Sequence, residues 1–208
     1  MKTLSTERYG NQRDTWPSEG RHILAQFDES SVVVYQAFNK CIADVAVLNQ
    51  RFGGGGFSFE RMSWVKTNFL WMMYRCGWAS KKNQERVLAI RISREGFEEI
   101  LSNAYSAYVQ KQEGLQTSEI QVRLQWDPDH TPTYDKLPRR AIQLGLKGEI
   151  LRKYATEWIE QIEDVTDFVV EQKQVLDAHG ADNILVAKET VYPLQNPGTI
   201  EKLGLDCV

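Results

Sequence analysis

Apolar positions recur along the chain with two different periods. Residues 85–93 place Val87, Ala89 and Arg91 on one side and Leu88, Ile90 and Ile92 on the other, a period of two that predicts a strand. Residues 22–27 and 31–38 are β-branched and aromatic runs around a turn-like Asp28-Glu29-Ser30, so they predict a hairpin or two adjacent strands. Val32-Val33-Val34 has no polar alternation, which predicts a strand covered on both faces. Residues 61–66, 120–126 and 141–146 read as further strands, with Asp127-Pro128-Asp129 expected to end the second of these.

Other stretches carry the helical period. Residues 39–51 align Ile42, Val45 and Ala46 behind Asn39 as N-cap. Residues 68–76 are apolar nearly all round, with Thr67 as the expected cap, and so predict a buried helix. Ser93 caps a helix expected over 94–108, whose stripe is Phe97, Ile100, Leu101, Ala104 and Tyr108. Residues 148–158 and 166–178 follow the same period, while 158–165 fit either type. Strands and helices mix without strict alternation. The expected fold is α+β: one compact domain over 21–178 with a mixed or mainly antiparallel sheet flanked by helices. Residues 1–20 read as a flexible arm and 179–208 as a loop-rich tail packed on the domain.

Composition narrows the function classes. A net charge of −3 and a pI of about 5.7 exclude a broadly basic nucleic-acid wrapper but not a local basic patch. Cys41, Cys76 and Cys207 form neither a disulfide ladder nor a metal motif, which suits a reducing, cytoplasmic setting. The polar N-terminus has no apolar signal region, and no stretch is long enough to span a bilayer, so no membrane partner is expected. Gly53-Gly54-Gly55-Gly56 lacks a following Lys-Ser/Thr and is no phosphate loop. The Asp127-Pro128-Asp129-His130 spacing matches no metal site.

Chemistry concentrates in residues 61–78, which hold three of the six tryptophans and three of the four methionines. Arg61 and Ser63, two apart, should point one way from a strand and could clamp a phosphate, a ribose or a carboxylate; Trp64 and Lys66 share the other face. Arg21, Tyr35 and Gln36 are further substrate-binding candidates, Tyr35 for stacking and Gln36 for hydrogen bonding. Arg139, Arg140, Lys147, Arg152 and Lys153 form a candidate nucleic-acid-binding cluster, with a solvated face as the plainer reading.

Several segments together resemble the domain of unknown function 4291 family: RHILAQFD at 21–28, VYQAF at 34–38, RMSWVKTNFLWMMYR at 61–75, RVLAI at 86–90, VRLQWDP at 122–128, AIQLGL at 141–146 and WIEQIEDVT at 158–166. The match covers about residues 21–170. The element order also resembles the ADP-ribosyltransferase fold. That resemblance puts Tyr35-Gln36 at its first position, Ser63-Trp64 at its second, and Gln125 or Gln143 where the fold supplies an acid or Gln; no Glu stands there. It implies a transferase with NAD as co-substrate and Ser63 and Gln143 as catalytic residues, to which the spacing with Ser63 adds Arg61; the residues themselves indicate no cofactor and no metal. The family is further associated with fungal arginine-containing cyclodipeptide synthases, which implies aminoacyl-tRNA as partner and an acidic pocket for an arginine side chain. The expected function is therefore a transferase acting on a nucleotide- or RNA-borne substrate, ADP-ribosyl transfer leading and cyclodipeptide synthesis the alternative. A non-catalytic RNA- or nucleotide-binding module is the rival from another class.

Overall fold

The computed structural model describes residues 4–206. The chain opens with β1 (Thr6–Arg8), α1 (Tyr9–Arg13), β2 (Gly20–Arg21), β3 (Leu24–Ala25) and the long β4 (Ser31–Phe38). Next come α2 (Lys40–Asn49), β5 (Ser63–Lys66), α3 (Phe69–Cys76), β6 (Arg86–Ser93) and α4 (Arg94–Ser102). β7 (Ala104–Tyr105), α5 (Ala107–Gln112), β8 (Val122–His130), β9 (Lys136–Leu146) and α6 (Gly148–Lys153) follow. A π-turn at Tyr154–Trp158 leads to β10 (Ile159–Asp164), α7 (Thr166–His179), β11 (Leu185–Ala187), β12 (Thr190–Val191) and α8 (Pro197–Leu203).

The main sheet runs β10-β6-β4-β5-β9-β8-β7, with β2 also paired to β9. Its pairings are antiparallel except β7 with β8 and β2 with β9. The α+β expectation, with a mainly antiparallel mixed sheet, is borne out. Val32 and Val34 enter one core with Ala43 and Ala46 of α2 and Phe97, Ile100 and Leu101 of α4. Val33 and Tyr35 enter a second core with α3, α7 and β11. Two covered faces explain why β4 is an unbroken apolar run.

Side-chain caps start the helices. Asn39 Oδ1 accepts from Ile42 N at 3.0 Å and Ser93 Oγ from Gly96 N at 3.2 Å. At α3 the cap is Asn68, whose Oδ1 accepts from Trp71 N at 2.7 Å, and not Thr67, whose buried hydroxyl has no partner. The carboxylate of Glu189 completes that helix start, accepting from Phe69 N at 2.7 Å and Asn68 Nδ2 at 3.1 Å. No helix among the described residues is long and apolar enough to cross a membrane.

Several elements differ from the sequence pattern. The helix expected over 94–108 stops at Asn103, whose side chain donates to Glu99 O at 2.9 Å. Ala104–Tyr105 then joins the sheet edge, and Tyr108, expected on the apolar stripe, is 70% exposed. β8 continues through Asp127-Pro128-Asp129 to His130. Pro128 is tolerated because β7 pairs with only Val122 and Arg123, leaving that end of β8 an edge, and because the register shifts beside it. The region open to either reading is β10, preceded by the π-turn. Neither chain end is loose within the described residues: β1 pairs with β11, and Tyr9, Gln12 and Trp16 are buried. Residues 1–3 and 207–208, Cys207 among them, lie outside the described residues.

His130 lies flat against Tyr74, ring centroids 3.6 Å apart, and stacks on Trp71 at 5.4 Å. Both its ring nitrogens are buried without a hydrogen-bond partner. Burial lowers its pKa, against the raising effect of Asp129 and Asp127, while Lys136 lowers it further. The unfolded chain therefore binds this proton first as pH falls, and stability should be lost as pH drops through ~6.5. His130→Phe should keep the stacking and flatten the pH dependence of the urea midpoint between about pH 7.5 and 5. Trp71 is 4% exposed at the centre of α3. Trp71→Ala should cost roughly 3–5 kcal/mol in urea denaturation.

Candidate functional site

β4 and β5 meet at one register pair, Tyr35 with Lys66. β6 holds all eight residues of β4 on its other side, and β9 holds all four of β5. Past Tyr35 the two strands diverge. The side chain of Gln36 occupies the gap, its Nε2 donating to Trp64 O at 3.1 Å and to Ser63 Oγ at 2.8 Å. Its Oε1 accepts from Tyr154 OH at 2.8 Å. Tyr154 is the first residue of the π-turn and fully buried. A side-chain amide thus replaces the missing backbone rungs.

The divergence opens a cavity of about 740 Å³. Ser63 and Val65 face the side of Leu146 and Leu144, whereas Trp64 and Lys66 pair with Gly145 and Gln143 and face the side of α3. The cavity consequently draws residues from both faces of the sheet: Phe38, Ile42 and Phe57 beside α2, and Met72 and Arg75 of α3. Met62 and Trp64 crowd over Gly145, where an added Cβ would lie 2.5 Å from Met62 Sδ and 3.0 Å from the Trp64 ring, so a side chain there would push Met62 aside.

The lining is cationic. It includes Arg61, Lys66 and Arg75, and none of the described lining residues is Asp or Glu. Lys66 is 6% exposed. Desolvation, followed by the charge of Arg75, lowers its pKa to about 8 against the raising effects of Cys76 and Asp127. Among the described residues no hydrogen bond or ion pair reaches its Nζ. Gln143 Nε2 donates to Asp127 Oδ2 at 2.5 Å and to Gln125 Oε1 at 2.9 Å. The rim at Asn83 and Gln84 follows a strained turn: Gly77, Trp78 and Ala79 all have positive φ, as does Asn83. Left-handed non-glycine residues of this kind are costly and cluster at functional sites.

Six sequence-derived site residues line this cavity together: Arg61, Ser63, Gln143, Gln36, Trp64 and Lys66. Arg61 precedes β5 rather than standing on it. Tyr35, expected to stack on a substrate, instead packs edge-on against Phe69 at 5.6 Å in the second core, fully buried. Arg21 lies elsewhere, its backbone N–H donating to Asp206 Oδ2 at 2.8 Å. Three glycines of the tetrad serve packing or the turn: a Cβ on Gly55 would sit 2.2 Å from Cys41 O, and one on Gly54 2.7 Å from Val45. Only Gly56 of the four borders the cavity.

The expected basic cluster is not one patch. Arg139 is 4% exposed and points inward, Nε and Nη2 donating to Asp129 Oδ2 at 2.9 and 2.6 Å and Nη1 to Pro17 O at 2.6 Å. Adjacent residues on a strand face opposite sides, so Arg140 is exposed where Arg139 is not. Lys147 lies seven residues beyond Arg140 along extended chain, roughly 23 Å away at ~3.3 Å per residue. Its Nζ donates to Thr117 O at 2.8 Å. Lys153 pairs with Glu99 at 2.9 Å and Arg152 approaches Glu60 at 3.8 Å.

Arg75 and Phe57 are lining residues that the sequence reading did not assign. A usable signal existed for Arg75: it is the one charged residue of an otherwise buried helix, so its side chain must reach an opening. Among the described residues no group of three His, Cys, Asp or Glu is placed to hold a metal ion.

Gln36→Leu removes the bridge and leaves Tyr154 OH and Trp64 O unpaired. It should cost about 1–3 kcal/mol per stranded buried group in urea denaturation.

No curated protein matches the chain. The family model described as a domain of unknown function, DUF4291, matches residues 22–192, a span that includes β4, β5, α3 and every residue lining the cavity. The chain belongs to the DUF4291 family.

Proposed function

We propose that the protein is a transferase acting on a nucleotide-borne substrate, with ADP-ribosyl-type transfer from NAD as its leading form. The supporting observation is a cavity that gathers Arg61, Lys66 and Arg75 with no carboxylate among its described lining residues. Such a site attracts an anion, and guanidinium groups suit phosphate because they donate in a planar fork. Trp64 brings an aromatic ring to the lining for a base or nicotinamide, beside Phe57, which is itself stacked on Phe52. Ser63 accepts from Gln36, which fixes its oxygen and leaves its own proton free for a ribose hydroxyl.

In the transfer, the bond from C1′ to the nicotinamide nitrogen breaks and its electron pair leaves on nicotinamide. The acceptor nucleophile bonds to C1′ and releases its proton to solvent water. Concentrated positive charge beside the pyrophosphate stabilises the bound donor. The cyclodipeptide alternative calls for a carboxylate to hold an arginine side chain, and the described lining residues offer none. The dispersed basic residues likewise favour a small nucleotide over tRNA.

The test is calorimetric titration with NAD alongside chromatographic detection of released nicotinamide. Arg61→Ala and Arg75→Ala should each weaken NAD binding by about 10–100-fold, the equivalent of one lost charge-assisted hydrogen bond. Ser63→Ala should suppress nicotinamide release with the fold retained and a small loss of melting temperature, since Gln36 Nε2 keeps Trp64 O as acceptor. Binding without release would leave a nucleotide-binding module. Tighter binding of tRNA than of any mononucleotide would overturn the reading.

A further inference from the structure

We infer that Lys66 is a reactive amine that condenses with a phosphate-bearing aldehyde or ketone held in the cavity. The inference concerns the same cavity but stands independently of NAD transfer. It rests on where the amine sits. Lys66 closes the one rung shared by β4 and β5, its backbone fixed by Tyr35 on one side and Gln143 on the other. Its side chain is 6% exposed yet lines an open cavity, and no described acid pairs with it. A structural lysine on a sheet is ordinarily neutralised by a carboxylate or reaches solvent. This one has no carboxylate partner and meets solvent only through the cavity, and the two guanidinium groups lining the same cavity belong to Arg61 and Arg75.

Desolvation and a neighbouring cation are the two devices that keep a lysine partly neutral and nucleophilic. With a pKa of about 8, roughly a tenth of the side chains carry a free amine at pH 7. The charged and titratable groups around it are Arg75 and Cys76 on α3, Asp127 on β8, Tyr35 on β4, and Arg61 ahead of β5. Arg75 lowers its pKa; Asp127 and Cys76 oppose that. Arg61 and Arg75 supply donors for the phosphate of an incoming carbonyl compound.

The chemistry balances without an added oxidant or reductant. Nζ attacks the carbonyl carbon and a carbinolamine forms. The carbon–oxygen bond then breaks, the oxygen leaves as water carrying the two protons of the amine, and a C=N bond joins Lys66 to the substrate. Water reverses the step.

Pyridoxal 5′-phosphate is the probe. The full chain is incubated with it at a series of pH values, the imine is fixed with borohydride, and modified lysines are identified by peptide mass spectrometry. Lys66 should be modified at least ten times faster than any other lysine, with a rate that rises through a midpoint near pH 8. Pyridoxal lacking the phosphate should react at least ten times more slowly. Arg75→Gln should move the midpoint upward, because a charge that disfavours the ammonium form is gone. Lys66→Met should abolish the label while keeping the melting temperature, since it replaces a buried charge by an apolar chain of similar length. Label spread over exposed lysines such as Lys82 and Lys111, or a midpoint at the ordinary lysine value, would overturn the inference. A chain that labels at Lys66 but never binds NAD would retain this inference and lose the transferase reading.

Discussion

The architecture depends on a mismatch between two strands. β4 is paired with β6 along its whole length and β5 with β9, but on their facing edges the two strands share one rung, Tyr35 with Lys66. Backbone groups past that rung would be stranded at the centre of the sheet, where an unpaired polar group is costly. Gln36 resolves the problem by inserting its amide between the strands. It is held in turn by Tyr154, which the π-turn delivers to the gap. A local widening of a helix and one glutamine thus maintain an opening in an otherwise continuous sheet.

The opening differs from a surface groove because both sheet faces are already covered. Its walls come from the middle strands and from α3, whose buried position is fixed by Asn68 and Glu189 at its N-terminus. Lys66 is buried at the inner end of this opening, whereas Arg61 and Arg75 stand exposed at its mouth. Burial and the charge of Arg75 together depress the pKa of Lys66.

Much of this was legible in the sequence, wherever local periodicity or capping decides the outcome. The unbroken Val32-Val33-Val34 run gave a strand covered on both faces, and residues 69–76 gave a buried helix, because burial imposes those patterns directly. The dense stretch after Arg61 pointed to the cavity, since polar side chains interleaved with aromatics need a partly open wall. What escaped were outcomes set by distant partners. Nothing near Tyr35 says that its ring turns toward Phe69. Leu185–Ala187 becomes a strand only because Thr6–Arg8 lies beside it. Asp127-Pro128-Asp129 continues a strand because the sheet edge there needs no N–H from Pro128. Arg139 could have been read correctly: two adjacent arginines on a strand cannot face the same way, and Asp129 ten residues earlier was the available inward partner.

The most direct measurement is a crystal structure of the protein grown with NAD. The account places the pyrophosphate in the gap between β4 and β5, within hydrogen-bond distance of Arg61 and Arg75, with the strands still parted and Gln36 still bridging Ser63 and Tyr154. Nucleotide density at another surface, with the gap empty, would contradict it.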